Sequence, residues 1–233
     1  MKALLLSAGL GNRLKPFTDN LPKVMIPLNR KPCLQYHIEN LKKQGIMDFA
    51  INTHYLPEKI KDYFGNGSKF GVKITYSYET PVILGTSGAL NNFRDFFDEP
   101  FLVIYADVLA NFKIQNSIDI HKKNSSLLTM ALDSKRKMAN KGAVMTLEDK
   151  VIGFIEKPGK EIPGAMINSG FYIAEPEIFS YIPEGFSDFG KEILPRLVKE
   201  GRVYASEHNG YIFDIGILDD LKKAQEFLKI NYQ

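Results

Sequence analysis

The chain has no tryptophan, a single cysteine and only four histidines among its 233 residues. One cysteine, Cys33, excludes an internal disulfide and a thiolate metal cluster. At helical spacing from His37, it reads as a small apolar packing group. Four scattered histidines and a core-like cysteine cannot assemble a Ser–His or Cys–His nucleophile, which argues against a covalent enzyme intermediate. Long hydrophobic runs are also missing. The N-terminal apolar run stops at Ser7, too short for a signal-peptide core, and no stretch of about eighteen apolar residues follows. A cytoplasmic protein without a membrane span is therefore expected. Charge of one sign is scarce too: a net charge of +3 and no one-sided basic helix argue against a nucleic-acid partner. No hexapeptide array is read, so no β-helical acyltransferase half is expected.

What is present is ordinary globular composition, 44% apolar and 24% charged, in a chain long enough to bury the core of one large α/β domain. The most informative stretch is Met1 to Pro27. An apolar strand, Ala3 to Leu6, opens into a loop holding Ser7, Gly9, Gly11, Asn12, Arg13, Lys15 and Thr18. Glycines let consecutive N–H groups turn toward one anion, while Arg13 offers a planar charged fork and Lys23 a point charge. Pro16, Pro22 and Pro27 stiffen the return path and lower the ordering cost of binding. Two common phosphate loops do not fit. Leu14 stands where the dinucleotide fingerprint needs its third glycine, and no Gly-Lys pair follows Gly9 or Gly11 as a P-loop requires.

Strands and helices then alternate. Helices are expected over Pro32 to Gln44, Pro57 to Phe64 and Thr86 to Phe97, and strands over Asp48 to Thr53, Val72 to Tyr78 and Phe101 to Ala106. This recurrence predicts a Rossmann-like, mostly parallel sheet flanked by helices, with ligands at the carboxyl ends of its strands. Further on come a polar helix Ser117 to Asn124 carrying His121, read as a surface residue, and a strand Ser126 to Leu132. A hairpin follows, Gly142 to Leu147 with Val151 to Ile155, then a strand Phe171 to Ala174. Helices starting at Glu175 and at Asp188, with Ser187 as a cap, precede a closing helix Leu218 to Ile230. One domain over 1–233 is expected, in two parts, about 1–110 and about 111–233 with the closing helix.

Asp107 and Asp214 each end an apolar run, so each carboxylate falls at the ligand edge, and hard oxygen donors of this kind suit Mg²⁺ on phosphate oxygens. Gly85 to Gly88 opens a helix whose N-terminus is expected to present free N–H groups. Glu156 and Lys157 end the hairpin, where the pleat would point them apart unless the chain twists. Asn168 precedes Gly170, an amide able to read hydroxyls.

The run Gly-x-Gly-x-Arg-Leu-x-Pro-x-Thr followed by Pro-Lys-x-x-x-Pro resembles the signature of the sugar-1-phosphate nucleotidyltransferases. Leu84 to Gly88, Glu156-Lys157-Pro158, Asn168 to Gly170 and Asp214 follow in that family's order, so the resemblance spans nearly the whole chain. It implies the nucleotide-diphospho-sugar transferase fold. It also implies that Leu6, Ala8 and Gly9 line base and ribose, that Gly11, Arg13 and Lys23 hold the triphosphate, Arg13 and Lys23 being catalytic, and that Gly85 and Thr86 meet the nucleotide. Gly88, Glu156, Lys157 and Asn168 would meet the sugar-1-phosphate, and Asp107 and Asp214 would hold Mg²⁺. The chain departs from the family at Ala106, where Gly is usual, and at Phe213, near which Trp is common. The short form and the GFSDFGKEILPRL run look most like mannose-1-phosphate guanylyltransferases. Glucose-, heptose- or muramate-1-phosphate substrates, a phosphocholine-type cytidylyltransferase and a non-catalytic nucleotide-binding protein stay open, as does a homodimer.

Overall fold

The structure is a computed structural model that describes residues 1–135 and 140–231. In chain order the strands are β1 Ala3–Leu6, β2 Pro27–Leu28, β3 Lys31–Pro32, β4 Asp48–Thr53, β5 Lys73–Tyr78, β6 Phe101–Tyr105, β7 Val108–Ala110, β8 Leu128–Asp133, β9 Ala143–Leu147, β10 Lys150–Ile155, β11 Met166–Ala174, β12 Val203–Glu207 and β13 Ile212–Asp214. The α-helices are α1 Cys33–Lys42, α2 Pro57–Phe64, α3 Gly85–Gly88, α4 Ile114–Lys123, α5 Leu194–Lys199 and α6 Leu218–Asn231. This is an α/β fold, as the alternation of periods implies.

The chain folds as two compact units. One comprises Lys2–Ile83, Ile104–Phe112 and Gly210–Gln233; the other comprises Met1, Leu84–Val103 and Lys113–Asn209. In the first, β5, β4 and β1 lie side by side, and both pairings are parallel, with Leu4 opposite Ala50 and Ile51 opposite Tyr76. Leu4, Leu5, Phe49, Ala50 and Ile51 are fully buried, as expected for parallel strands covered on both faces. Helix α1 starts directly after Pro32, whose φ of −67° is the value its ring imposes. It buries Leu34, Ile38 and Leu41, the stripe expected at a period of 3.6.

The second unit orders its strands β11-β8-β12-β10-β9. Here β11 pairs with β8, and β10 with both β12 and β9, antiparallel; β9 and β10 are joined by a turn too short for anything but a hairpin. Two expected helices are shorter. Thr86 to Phe97 is a single α turn followed by a 3-10 stretch, Ala89–Phe96, kinked at Phe93. Gly88, Asn91 and Asn92 propagate a helix weakly. From Asp188 onward, a π turn over Phe189–Ile193 leads into α5. Asp188, not Ser187, is the cap: its carboxylate accepts from the N–H groups of Gly190 and Lys191. Helix α4 buries Ile114, Ser117 and His121, so the expectation that His121 is a surface residue is wrong. The signal was present, since 114, 117 and 121 share one helical face.

Candidate active site

Strand β1 ends at Leu6, and the loop beyond it folds back on itself. Gly11 sits at φ +68°, and a Cβ there would stand 2.9 Å from Thr18 Cγ2 and 3.1 Å from Lys23 Cβ. The Thr18 hydroxyl donates to the Gly11 carbonyl at 3.0 Å. The Tyr55 hydroxyl donates to the carbonyls of Thr18 and Asp19 at 3.0 and 2.8 Å. A glycine is needed here both for its backbone angle and for its missing side chain. At Gly9, in contrast, an added Cβ would meet nothing within 4 Å. Ala8 is buried and Leu6 partly so, while Arg13 is exposed.

Lys23 is 9% exposed, and its ammonium is ion-paired with the Asp107 carboxylate. Asp107 follows β6 and precedes β7. The antiparallel pairing of β7 with β13 sets Val108 opposite Asp214, and the Ile215 N–H donates to the Asp107 carbonyl at 3.0 Å. The two strand-end carboxylates, a hundred residues apart in sequence, thus become neighbours through one short ladder. Asp214 Oδ1 accepts from the Gly216 N–H at 2.8 Å. A Cβ on Gly216 would stand 2.7 Å from that oxygen and 3.2 Å from Arg13 Nη2. Arg13, Lys23, Asp107 and Asp214 are therefore gathered at one place, two cations with two carboxylates.

A second polar chain lies at the ends of β1, β4 and β5, and it was missed in the sequence. The Ser7 N–H donates to Asn52 Oδ1 at 2.8 Å, and Asn52 Nδ2 donates to Glu79 Oε1 at 2.6 Å. His54 Nδ1 lies 2.7 Å from the Glu79 carbonyl. Asn52 and Glu79 are 2% and 1% exposed, and a satisfied buried polar network of this kind rigidifies what it links. An amide inside the apolar strand Asp48–Thr53 was its one sequence signal.

Below this cluster, His37 is 1% exposed. Burial pulls its pKa down to about 4, against the opposing influence of Asp107, so the folded imidazole is neutral where an unfolded one titrates near 6.5. Between those values the unfolded chain binds the extra proton, so stability is present above about pH 6.5 and is lost as pH falls toward 4. The loss from this group is on the order of 3 kcal/mol. Urea titrations of wild type and His37→Leu at pH 7.5 and pH 5 should show a smaller acid loss in the variant. Burial also pushes the Cys33 thiol well up, in keeping with an inert core residue.

In the second unit, the turn Leu84 to Gly88 is sealed by its own chain. The N–H groups of Ser87 and Gly88 both donate to the Ser187 carbonyl, at 3.1 and 3.2 Å, and the Ser187 N–H returns a bond to Leu84 O at 2.9 Å. Two of the expected free donors at this helix start, those of Ser87 and Gly88, are therefore already used. The Thr86 hydroxyl donates to Asp188 Oδ2 at 3.1 Å and accepts from the Phe189 N–H at 2.9 Å. Gly85 and Gly88 allow this contact: a Cβ on either would stand 2.3 Å from a carbonyl oxygen, of Ser187 or of Gly185. Gly88→Ala should lower the thermal midpoint by several degrees, consistent with the roughly 1–3 kcal/mol of overpacking. A calorimetric scan within one degree of wild type would contradict this fit.

Glu156 and Lys157 do meet. Lys157 has φ +48°, a twist that breaks the pleat's alternation and leaves its Nζ 3.5 Å from Glu156 Oε1. A Cβ on Gly190 would lie 2.6 Å from Glu156 Oε2, so the carboxylate is seated against the segment that Asp188 caps. Asn168 Nδ2 donates to the Tyr172 hydroxyl at 2.6 Å, and its Oδ1 accepts from the Gly170 N–H at 3.1 Å. The pairing of β11 with β8 is irregular between Asn168 and Tyr172.

The family model described as nucleotidyl transferase matches residues 2–230. The chain belongs to this family. A D-glycero-alpha-D-manno-heptose 1-phosphate guanylyltransferase of Aneurinibacillus thermoaerophilus is 37% identical, the match covering 98% of this chain and 99% of the relative. A UTP–glucose-1-phosphate uridylyltransferase of Synechocystis is 34% identical over 96% of this chain. A mannose-1-phosphate guanyltransferase of Yarrowia lipolytica is 32% identical over 93%. The chain spans 62% and 61% of the length of those two longer relatives. The solved structure of HddC from Yersinia pseudotuberculosis with GMP-PN is 27% identical, with a TM-score of 0.82 over 97% of this chain and 99% of that one. The expected family and fold are those found.

Proposed function

We propose that the chain joins a nucleoside triphosphate to a sugar-1-phosphate, giving a nucleotide-sugar and pyrophosphate, with GTP and a manno-configured sugar-1-phosphate as substrates. The observation that carries this reading is the gathering of Arg13 and Lys23 with the strand-end carboxylates Asp107 and Asp214 beside the Gly9–Gly11 loop. Guanine and the manno configuration draw support from two of the relatives, whose names share both. Mannose and the heptose differ beyond C5, away from the reacting phosphate, so the same chemistry serves either. We place the reaction in the cytoplasm, where nucleoside triphosphates are made.

In this reaction a phosphate oxygen of the sugar ester attacks the α-phosphorus in line. The new P–O bond forms as the bond to the bridging oxygen of the β-phosphate breaks, and the electron pair leaves with pyrophosphate. No group on the protein is acylated or phosphorylated. Holding two anions in the attack geometry is worth roughly 7–11 kcal/mol of barrier, provided their repulsion is suppressed. Arg13 would grip the triphosphate bidentately, and Lys23 would meet charge developing on the α-phosphoryl oxygens. Glu156 and Asn168 offer acceptors and a donor to sugar hydroxyls, and Lys157, largely exposed at 65%, offers a cation to the sugar phosphate.

Asp107 and Asp214 fit Mg²⁺. A cation, the Lys23 ammonium, already rests on Asp107. Two carboxylates, with the remaining ligands from phosphate and water, are what this ion takes. When bound it would neutralise phosphoryl charge.

The test is a matrix of the four nucleoside triphosphates against mannose-, manno-heptose-, glucose- and muramate-1-phosphate and phosphocholine, scored by pyrophosphate release. GTP with a manno-configured ester should dominate. Turnover only with CTP and phosphocholine, or none at all, would overturn the reading.

A further inference from the structure

We propose that His37 is a positioning residue that holds the segment carrying Asp107 in its working conformation; this rests on the reading of Asp107 given above. His37 lies on α1, one turn beyond Cys33, and is 1% exposed. Its Nε2 has no hydrogen-bond partner among the described residues. Its ring bonds to the backbone at Ala106 and at Val108, the residues on either side of Asp107. With Nε2 unpartnered, the bonded nitrogen is Nδ1, whose single N–H is shared between those two carbonyls.

Stability gives no reason for a histidine at this place. A buried polar atom without a partner is destabilising, whereas an apolar side chain of similar size would fill the same space without that loss. What a leucine cannot do is bond the two peptide groups that flank Asp107. Those peptides set the direction in which the carboxylate leaves the chain. The Ala106 N–H is bonded to the Leu6 carbonyl at 3.1 Å, and the Asp107 carbonyl to the Ile215 N–H at 3.0 Å. The imidazole completes this set of bonds from the third side, out of α1. With it the segment is tied to β1, β13 and α1 at once, and the Asp107 carboxylate is held on Lys23.

The proposal separates fold from function by sign. His37→Leu should keep or raise the thermal midpoint at pH 7.5, since the unpartnered Nε2 is gone. Its kcat should fall about tenfold or more, with KM for the nucleoside triphosphate within about twofold, and its Mn²⁺ affinity, measured by calorimetry without substrate, should fall about tenfold, the range seen for residues that orient metal ligands. His37→Asn, whose amide keeps a donor on a short side chain, should recover most of both losses. A lowered midpoint with unchanged kcat and unchanged Mn²⁺ affinity in both variants would overturn the proposal and leave His37 as packing. If wild type fails with every substrate pair, the functional reading fails, while midpoint and Mn²⁺ affinity still decide the role of His37.

Discussion

Asp107→Asn should lower kcat by about a hundredfold or more, the scale seen when one preorganised electrostatic group is removed from a reacting centre. The substitution is isosteric, and the amide oxygen still accepts from Lys23, so the geometry of the ion pair survives while its charge does not. The side chain of Lys23 is only 10% exposed and that of Asp107 31%. Some stability must therefore be lost with the countercharge, but less than the roughly 3–5 kcal/mol of a fully buried pair broken on one side. Asp214→Asn tests the second carboxylate, whose Oδ1 is engaged with the Gly216 N–H. Pyrophosphate release across a Mg²⁺ titration, beside a urea titration of each variant, separates the two effects. Near-normal turnover in both variants would mean that neither carboxylate serves the reaction.

Lys23→Ala should be the other severe variant, with kcat/KM down about 100- to 1,000-fold, because in the proposed reaction the charge it supplies acts on the α-phosphoryl oxygens in the transition state. Its effect should not add to that of Asp107→Asn. The two groups are in contact, and residues in contact share an interaction energy that single variants count twice. The double variant is expected to lose little more than Lys23→Ala alone, and fully additive losses would show that the resting ion pair has no part in turnover. Gly11 offers a control on position: a Cβ there would press on both Thr18 and Lys23, so Gly11→Ala should mimic part of the Lys23 loss without removing any charge.

Most of the first unit's scaffold was legible because its signals are local. An apolar run followed by glycines and an arginine, or by an aspartate, states a strand and what stands at its end, and β1, β4, β6 and β13 fall where those runs lie. Strand β12 was missed, since Val203–Glu207 mixes apolar and polar residues and follows a helix after only Glu200, Gly201 and Arg202. The kinked stretch after Gly88 was overcalled as one helix, because its asparagines are spent on tertiary bonds. Asn91 donates to the Pro183 carbonyl at 2.9 Å.

The sequence by itself determined the family, the alternating α/β order and the identity of the charged residues at the strand ends. Each of these depends on a residue and its near neighbours along the chain. Only the tertiary structure decided which carboxylate meets Lys23, that Ser187 covers the N–H groups of Ser87 and Gly88, and that Glu156 and Lys157 turn toward one another. Those outcomes depend on strand pairing, on a left-handed residue and on the packing of one segment against another a hundred positions away. Contacts of that range follow from closure of the whole fold, which no local spacing encodes.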